Sequence, residues 1–92
     1  MSLPADAEYV RTTPTFTEAS VPAGLLAEHL VAAGNWAVLL VETGALSFVF
    51  DDGSEAVSLL AGDRQVIPPG RYHHLVIDEP VSFSIEFYRA TS

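Results

Sequence analysis

The chain has 92 residues, just under half of them hydrophobic and 17% charged, which suits one well-filled globular domain and excludes a second core or disorder. Twelve acidic residues stand against four arginines and no lysine, a net charge of −8, so there is no basic stripe for nucleic acid or an anionic membrane surface. The absence of cysteine excludes disulfides, thiolate sites and iron–sulfur clusters.

At the N-terminus, Met1 to Asp6 lacks the basic-then-apolar pattern of a secretory leader. The longest apolar run, Trp36 to Val41, falls far short of the roughly 20 residues a membrane helix needs. A cytoplasmic protein is expected. Residues 1–34 form the less regular part. Glu8 to Thr12 reads as an edge strand, broken by Thr13-Pro14-Thr15. Phe16 to Ser20 fits the start of a helix or of another strand. Pro22 and Gly24 interrupt again, and Leu25 to Leu30 fits one helical turn or a strand.

Residues 35–90 form a strand core. Trp36 to Glu42 is apolar on both faces, as in a strand buried on both sides. Thr43-Gly44 is expected to turn the chain into Ala45 to Phe50, which carries Leu46, Phe48 and Phe50 on one face. Asp51-Asp52-Gly53 is a hairpin signal, because Asp-Gly supplies the positive φ angles of tight hairpin turns. The return strand spans Glu55 to Leu60, Ala61-Gly62-Asp63 turns again, and Arg64 to Ile67 leads into Pro68-Pro69-Gly70. Arg71 to Ile77 closes at Asp78-Glu79-Pro80. Along Val81 to Arg89, Val81, Phe83, Ile85 and Phe87 alternate with Ser82, Ser84, Glu86 and Tyr88. Six short strands with hairpin-like links predict an all-β, single-domain barrel or sandwich of antiparallel strands over residues 1–92.

One stretch carries chemistry. Gly62, Pro68, Gly70 and His73 follow the spacing G-x5-P-x-G-x2-H: a glycine turn starts a strand, a Pro-Gly turn reverses it, and the histidine then points inward. This spacing resembles the second conserved motif of the cupin superfamily, with Ile77 in place of its closing asparagine. The first cupin motif is degraded. Gly44 occupies its closing glycine, Ala37 stands where a ligand glutamate belongs, and His29 is the one upstream histidine. Glu28-His29, Ala33-Gly34-Asn35-Trp36, Gly44-Ala45-Leu46, Ile67-Pro68-Pro69, His73 and Ile85-Glu86-Phe87-Tyr88 together resemble the TehB/YeaR-like tellurite-resistance domain, a small cupin.

That resemblance implies a metal site at His29, His73 and Glu86, able to hold a divalent ion such as zinc, nickel, iron or manganese with positions open to water or a small ligand. It implies a role in a stress or metalloid response. No glycine-rich nucleotide loop is present, so no nucleotide cofactor is expected. Each residue has a plainer reading. His73 and His74 are neighbours on one strand, so only one faces inward, and the motif favours His73. A lone His29 also reads as a surface residue. Glu86 is a ligand only if the polar face of its strand lines the pocket. Trp36, Tyr72, Tyr88 and Arg71 are the expected pocket lining, with core packing for Trp36 and solvation for Arg71 as alternatives.

The function expected is a small cupin-like protein that binds a divalent metal and a small molecule or anion in its barrel, assembled as a homodimer because so short a domain buries a modest share of its surface. One rival is a non-heme, metal-dependent oxygenase-type enzyme using two histidines and one carboxylate. The other is a metal-free binding or assembly module. A serine triad is not expected, since no G-x-S-x-G elbow occurs.

Overall fold

The computed structural model describes residues 2–27, 29–53 and 56–90. Its strands are β1 (Glu8–Thr12), β2 (Phe16–Thr17), β3 (Asn35–Phe50), β4 (Val57–Leu60), β5 (Arg64–Ile67), β6 (His73–Val76) and β7 (Val81–Arg89). A single 3-10 turn, Ala23–Leu25, is the helical structure among the described residues. The chain is all-β, and each strand pairing is antiparallel. Glu55, the expected start of the fourth strand, and Glu28 lie outside the described residues.

The long strand β3 organises the barrel. Its first half lies between β7 and β5, and its second half between β4 and β6. β1 and β2 add to the free edge of β7. The Asp51-Asp52-Gly53 turn links β3 to β4 as the hairpin signal predicts, with Gly53 at φ +92°.

Thr43-Gly44 behaves differently from expectation: the chain does not reverse there, and two expected strands are one. The register of β3 against β7 slips between Val41 and Thr43, leaving Glu42 as an extra residue. That bulge changes which side chains point inward, from Ala37, Leu39 and Val41 before it to Leu46, Phe48 and Phe50 after it. Gly44 takes φ +75°, and a Cβ there would collide with the carbonyl oxygen of Pro80. Glycine is needed at this point for close approach of β7, not for a turn.

The apolar face of β7 lines the barrel. Val81, Phe83 and Ile85 are buried with Leu39, Val41 and Phe48, and Phe87 packs against the same cluster. Each such side chain contributes about 1.5–3 kcal/mol on burial. The N-terminal part is tied to this strand by side chains where its own ladder fails. At Pro14 a ladder donor is lost, yet the Thr13 hydroxyl accepts the Ile85 N–H at 3.0 Å, and the Thr13 N–H donates to the Ile85 carbonyl. A little further on, Glu18 accepts the Val81 N–H at 2.9 Å, a bond that holds its carboxyl below the usual carboxylate range. The chain then crosses by way of Ala23–Leu25 to pair His29 with His73.

Candidate functional site

Between the N-terminal crossing and the inner face of β7 lies a cavity of about 250 Å³. Phe16, Pro22, Leu25, Ile85 and Phe87 form its apolar body, and Arg11, Thr13 and His29 bring polar groups to it. No helix among the described residues is long and apolar enough to cross a membrane.

The two histidines meet because their backbones pair. His29 N–H donates to the His73 carbonyl at 2.8 Å, and His73 N–H donates back to His29 at 2.9 Å. Directly opposed residues on an antiparallel bridge share a face, so the imidazoles touch edge to face with ring centroids 5.4 Å apart. His29 is exposed at the cavity, whereas His73, only 3% exposed, stacks on Phe48 behind it. Burial lowers the pKa of His73, partly opposed by its bond to Arg71. Its Nδ1 lies 3.2 Å from the Arg71 carbonyl, which can only accept, so Nδ1 carries the proton and Nε2 is the lone-pair nitrogen. His74 points to the other side of β6, where its Nδ1 sits 2.7 Å from Asp51.

Arg11 reaches the cavity through a second bulge. β1 pairs Tyr9 with Tyr88 and Arg11 with Phe87, so Val10 is the extra residue. The Arg11 guanidinium carbon lies 4.6 Å from the centroid of the Phe87 ring.

Glu86 is not brought to the histidines. It sits between Ile85 and Phe87, both of which line the cavity, so its side chain projects from the opposite face of β7. There it accepts from Arg64 at 2.8 Å and from the Tyr88 hydroxyl at 3.1 Å. Desolvation, followed by the bond to Glu86, raises the pKa of Tyr88. Of the residues expected to line the pocket, Trp36 pairs with Tyr88 on this outer face. Tyr72 is half exposed, and Arg71 lies over the Phe50 ring while bonding Asp52 through Nε at 3.0 Å. None of the four lines the cavity beside His29; alternation along β3 and β7 carries Trp36 and Tyr88 away from it.

A family model described as the TehB-like domain matches residues 11–85. The chain belongs to the TehB-like domain family. A protein from Escherichia coli (strain K12) superimposes on this TehB-like chain with a TM-score of 0.86 at 25% identity, covering 100% of it and 99% of that protein. TehB from Haemophilus influenzae aligns with a TM-score of 0.81 at 18% identity, over 92% of this chain and 32% of that one. A cupin-2 domain containing protein from Shewanella frigidimarina gives 0.58 at 23% identity, over 92% and 72%. These likenesses make the fold a small cupin barrel. No curated protein matches the chain.

The cupin resemblance implies a metal, which needs a set of donors brought to one place. Zinc sites that keep an open position use three protein ligands. This TehB-like chain brings two imidazoles together, and Glu86, held by Arg64 and Tyr88 on the far face, does not complete the set. Among the described residues, no group of three His, Asp or Glu side chains is placed to hold an ion. The three-ligand set does not fit. Sequence reading also missed Arg11, Thr13, Phe16, Pro22 and Leu25, which lie in the part with no clear period. Ile85 and Phe87 were visible only as an apolar face.

Proposed function

We propose that this TehB-like barrel binds a small organic molecule in the cavity beside His29. The observation that carries the reading is the cavity itself, about 250 Å³ of mostly apolar lining with a few polar groups at one place. Small-molecule sites have this make-up, and the volume lies just under the roughly 300 Å³ where drug-sized pockets begin. A ligand smaller than a drug-sized molecule is therefore the natural occupant. The neutral, buried His73 behind His29 holds that imidazole edge to face and sets its direction.

A fragment screen by amide-resolved NMR tests this. Binders should shift the amides of Thr13, Gly24, Leu25, His29, Ile85 and Phe87 together, and Leu25→Trp, which fills the cavity, should abolish those shifts while leaving the rest of the spectrum in place. Shifts that scatter over the surface, or that survive Leu25→Trp, would refute the reading.

A metal-assisted form of the same reading has one observation in its favour. A backbone carbonyl on Nδ1 leaves His73 Nε2 unprotonated, the arrangement seen around metal-bound imidazoles. His29 and His73 would then supply two ligands, and the bound molecule or water the rest. Elemental analysis of untagged protein, wild type beside His73→Ala, decides it: metal near one per chain that falls in the variant supports it, and none after incubation with zinc, iron, nickel or manganese removes it. The oxygenase-type alternative needs a carboxylate beside the two histidines, and Glu86 faces away from them.

A further inference from the structure

The cavity has one permanent charge at its mouth, and the backbone is distorted to put it there. In an unbroken β1 ladder the residue after Tyr9 would face Phe87, and that residue is Val10. The bulge at Val10 places Arg11 opposite Phe87 instead, on the cavity side, with the guanidinium against the ring. Bulges re-aim side chains and gather near functional sites. A regular strand would have set Val10 there and left the mouth without a permanent charge.

Arg11 also differs from the arginines that serve the structure. Arg64 is paired with Glu86, and Arg71 with Asp52; Arg89, like Arg11, has no salt bridge among the described residues, but it does not line the cavity. Among the described residues no carboxylate is paired with Arg11, although acidic residues outnumber arginines three to one, twelve against four. With its guanidinium carbon 4.6 Å from the Phe87 ring centroid, Arg11 has an N–H fork able to take a bidentate acceptor. The neighbouring Thr13 hydroxyl is occupied, donating to the Pro14 carbonyl and accepting from Ile85. The body of the cavity offers apolar surface and no further cation.

We infer that the occupant is a small organic carboxylate, its anionic end held by Arg11 and its aromatic or branched aliphatic body resting against Phe16, Pro22, Leu25, Ile85 and Phe87. This rests on the ligand-binding reading above and narrows it. An inorganic oxyanion does not suit the site, because it would give up hydration on every side and recover hydrogen bonds on one. A neutral carbonyl would offer the Arg11 fork a single acceptor and leave its charge uncompensated.

The test uses matched probes on the intact chain: benzoate against benzamide, and isovalerate against isovaleramide, each titrated by NMR, with inorganic phosphate as the headgroup-only control. Arg11 is exposed on an edge strand, so Arg11→Gln leaves the core untouched. In the wild type, at least one carboxylate should bind about tenfold more tightly than its amide, as one charge-assisted contact predicts. Arg11→Gln should erase that preference, bringing the carboxylate down to the affinity of its amide, and Arg11→Lys should keep part of it. Phosphate should leave the cavity amides unmoved. Amides that bind as well as the carboxylates, a preference that survives Arg11→Gln, or phosphate binding at the cavity would each overturn the carboxylate inference and leave the ligand-binding reading standing. Failure of all four organic probes to move any cavity amide overturns both.

Discussion

The two faces of β7 carry polar chemistry of different kinds, and only one of them leaves it accessible. On the inner face, Ile85 and Phe87 line a cavity shared with Arg11 and His29, and Arg11 has no carboxylate partner among the described residues. On the outer face Glu86 is already engaged by Arg64 and Tyr88, and Ser82 by the Thr43 hydroxyl at 2.6 Å. The outer cluster is the richer in ionisable groups, and the family resemblance implied a ligand there in Glu86. Yet a carboxylate neutralised by a guanidinium and a phenol has little left to offer a ligand. Availability of a polar group, more than its presence, separates the two faces.

The largest effect expected from testing this contrast is on stability. Phe83, fully buried on the inner face and packed against Phe16, should cost about 3–5 kcal/mol on Phe83→Ala, read by urea unfolding. A loss below about 1 kcal/mol would mean that this face is not the core.

Next comes pH. Burial lowers the folded-state pKa of His73, with His29 and His74 pushing the same way and Asp51 and the Arg71 carbonyl opposing. The unfolded chain therefore binds the proton more readily than the folded one. The stability that His73 contributes as a neutral ring is fully present above its unfolded value of about 6.5 and is lost as pH falls from there through the lower folded value. The Tm of the wild type should drop across that interval, and His73→Phe, stacked in the same place on Phe48, should drop less. Equal slopes would show that His73 does not carry the effect.

The smallest effect is expected on the outer face. The Arg64–Glu86 pair is partly exposed, so Glu86→Gln should change stability by only about 0–1 kcal/mol. It should also leave carboxylate binding at the cavity unaltered. Loss of binding in that variant would place Glu86 in the site after all and collapse the distinction between the faces.

Much of the barrel was legible before any coordinates. The alternation along Val81 to Arg89, the Asp-Gly hairpin and the Pro-Gly turn before His73 each act over a few residues, and the strands appear where those signals put them. His73 and His74 do take opposite faces of their strand, His73 buried on the core face and His74 meeting Asp51 on the other, although His73 does not line the cavity. Less could be read of the site. Leu25 and His29 sit in a crossing with little regular structure, and nothing local ties it to strands later in the chain. Trp36 and Tyr88 were expected at the pocket for their residue type, which says nothing about the face they occupy.

By itself, then, the sequence determined an acidic, cysteine-free, all-β domain and which alternating set on the last strand is apolar, because composition and a two-residue period are local properties of the chain. The tertiary structure alone decided which face encloses the cavity, that Glu42 and Val10 are bulged, and that His29 opposes His73. A bulge is a mismatch between two strands far apart in sequence. It leaves no mark on composition, yet a shift of one residue moves Arg11 from the outside of the barrel to the mouth of its pocket.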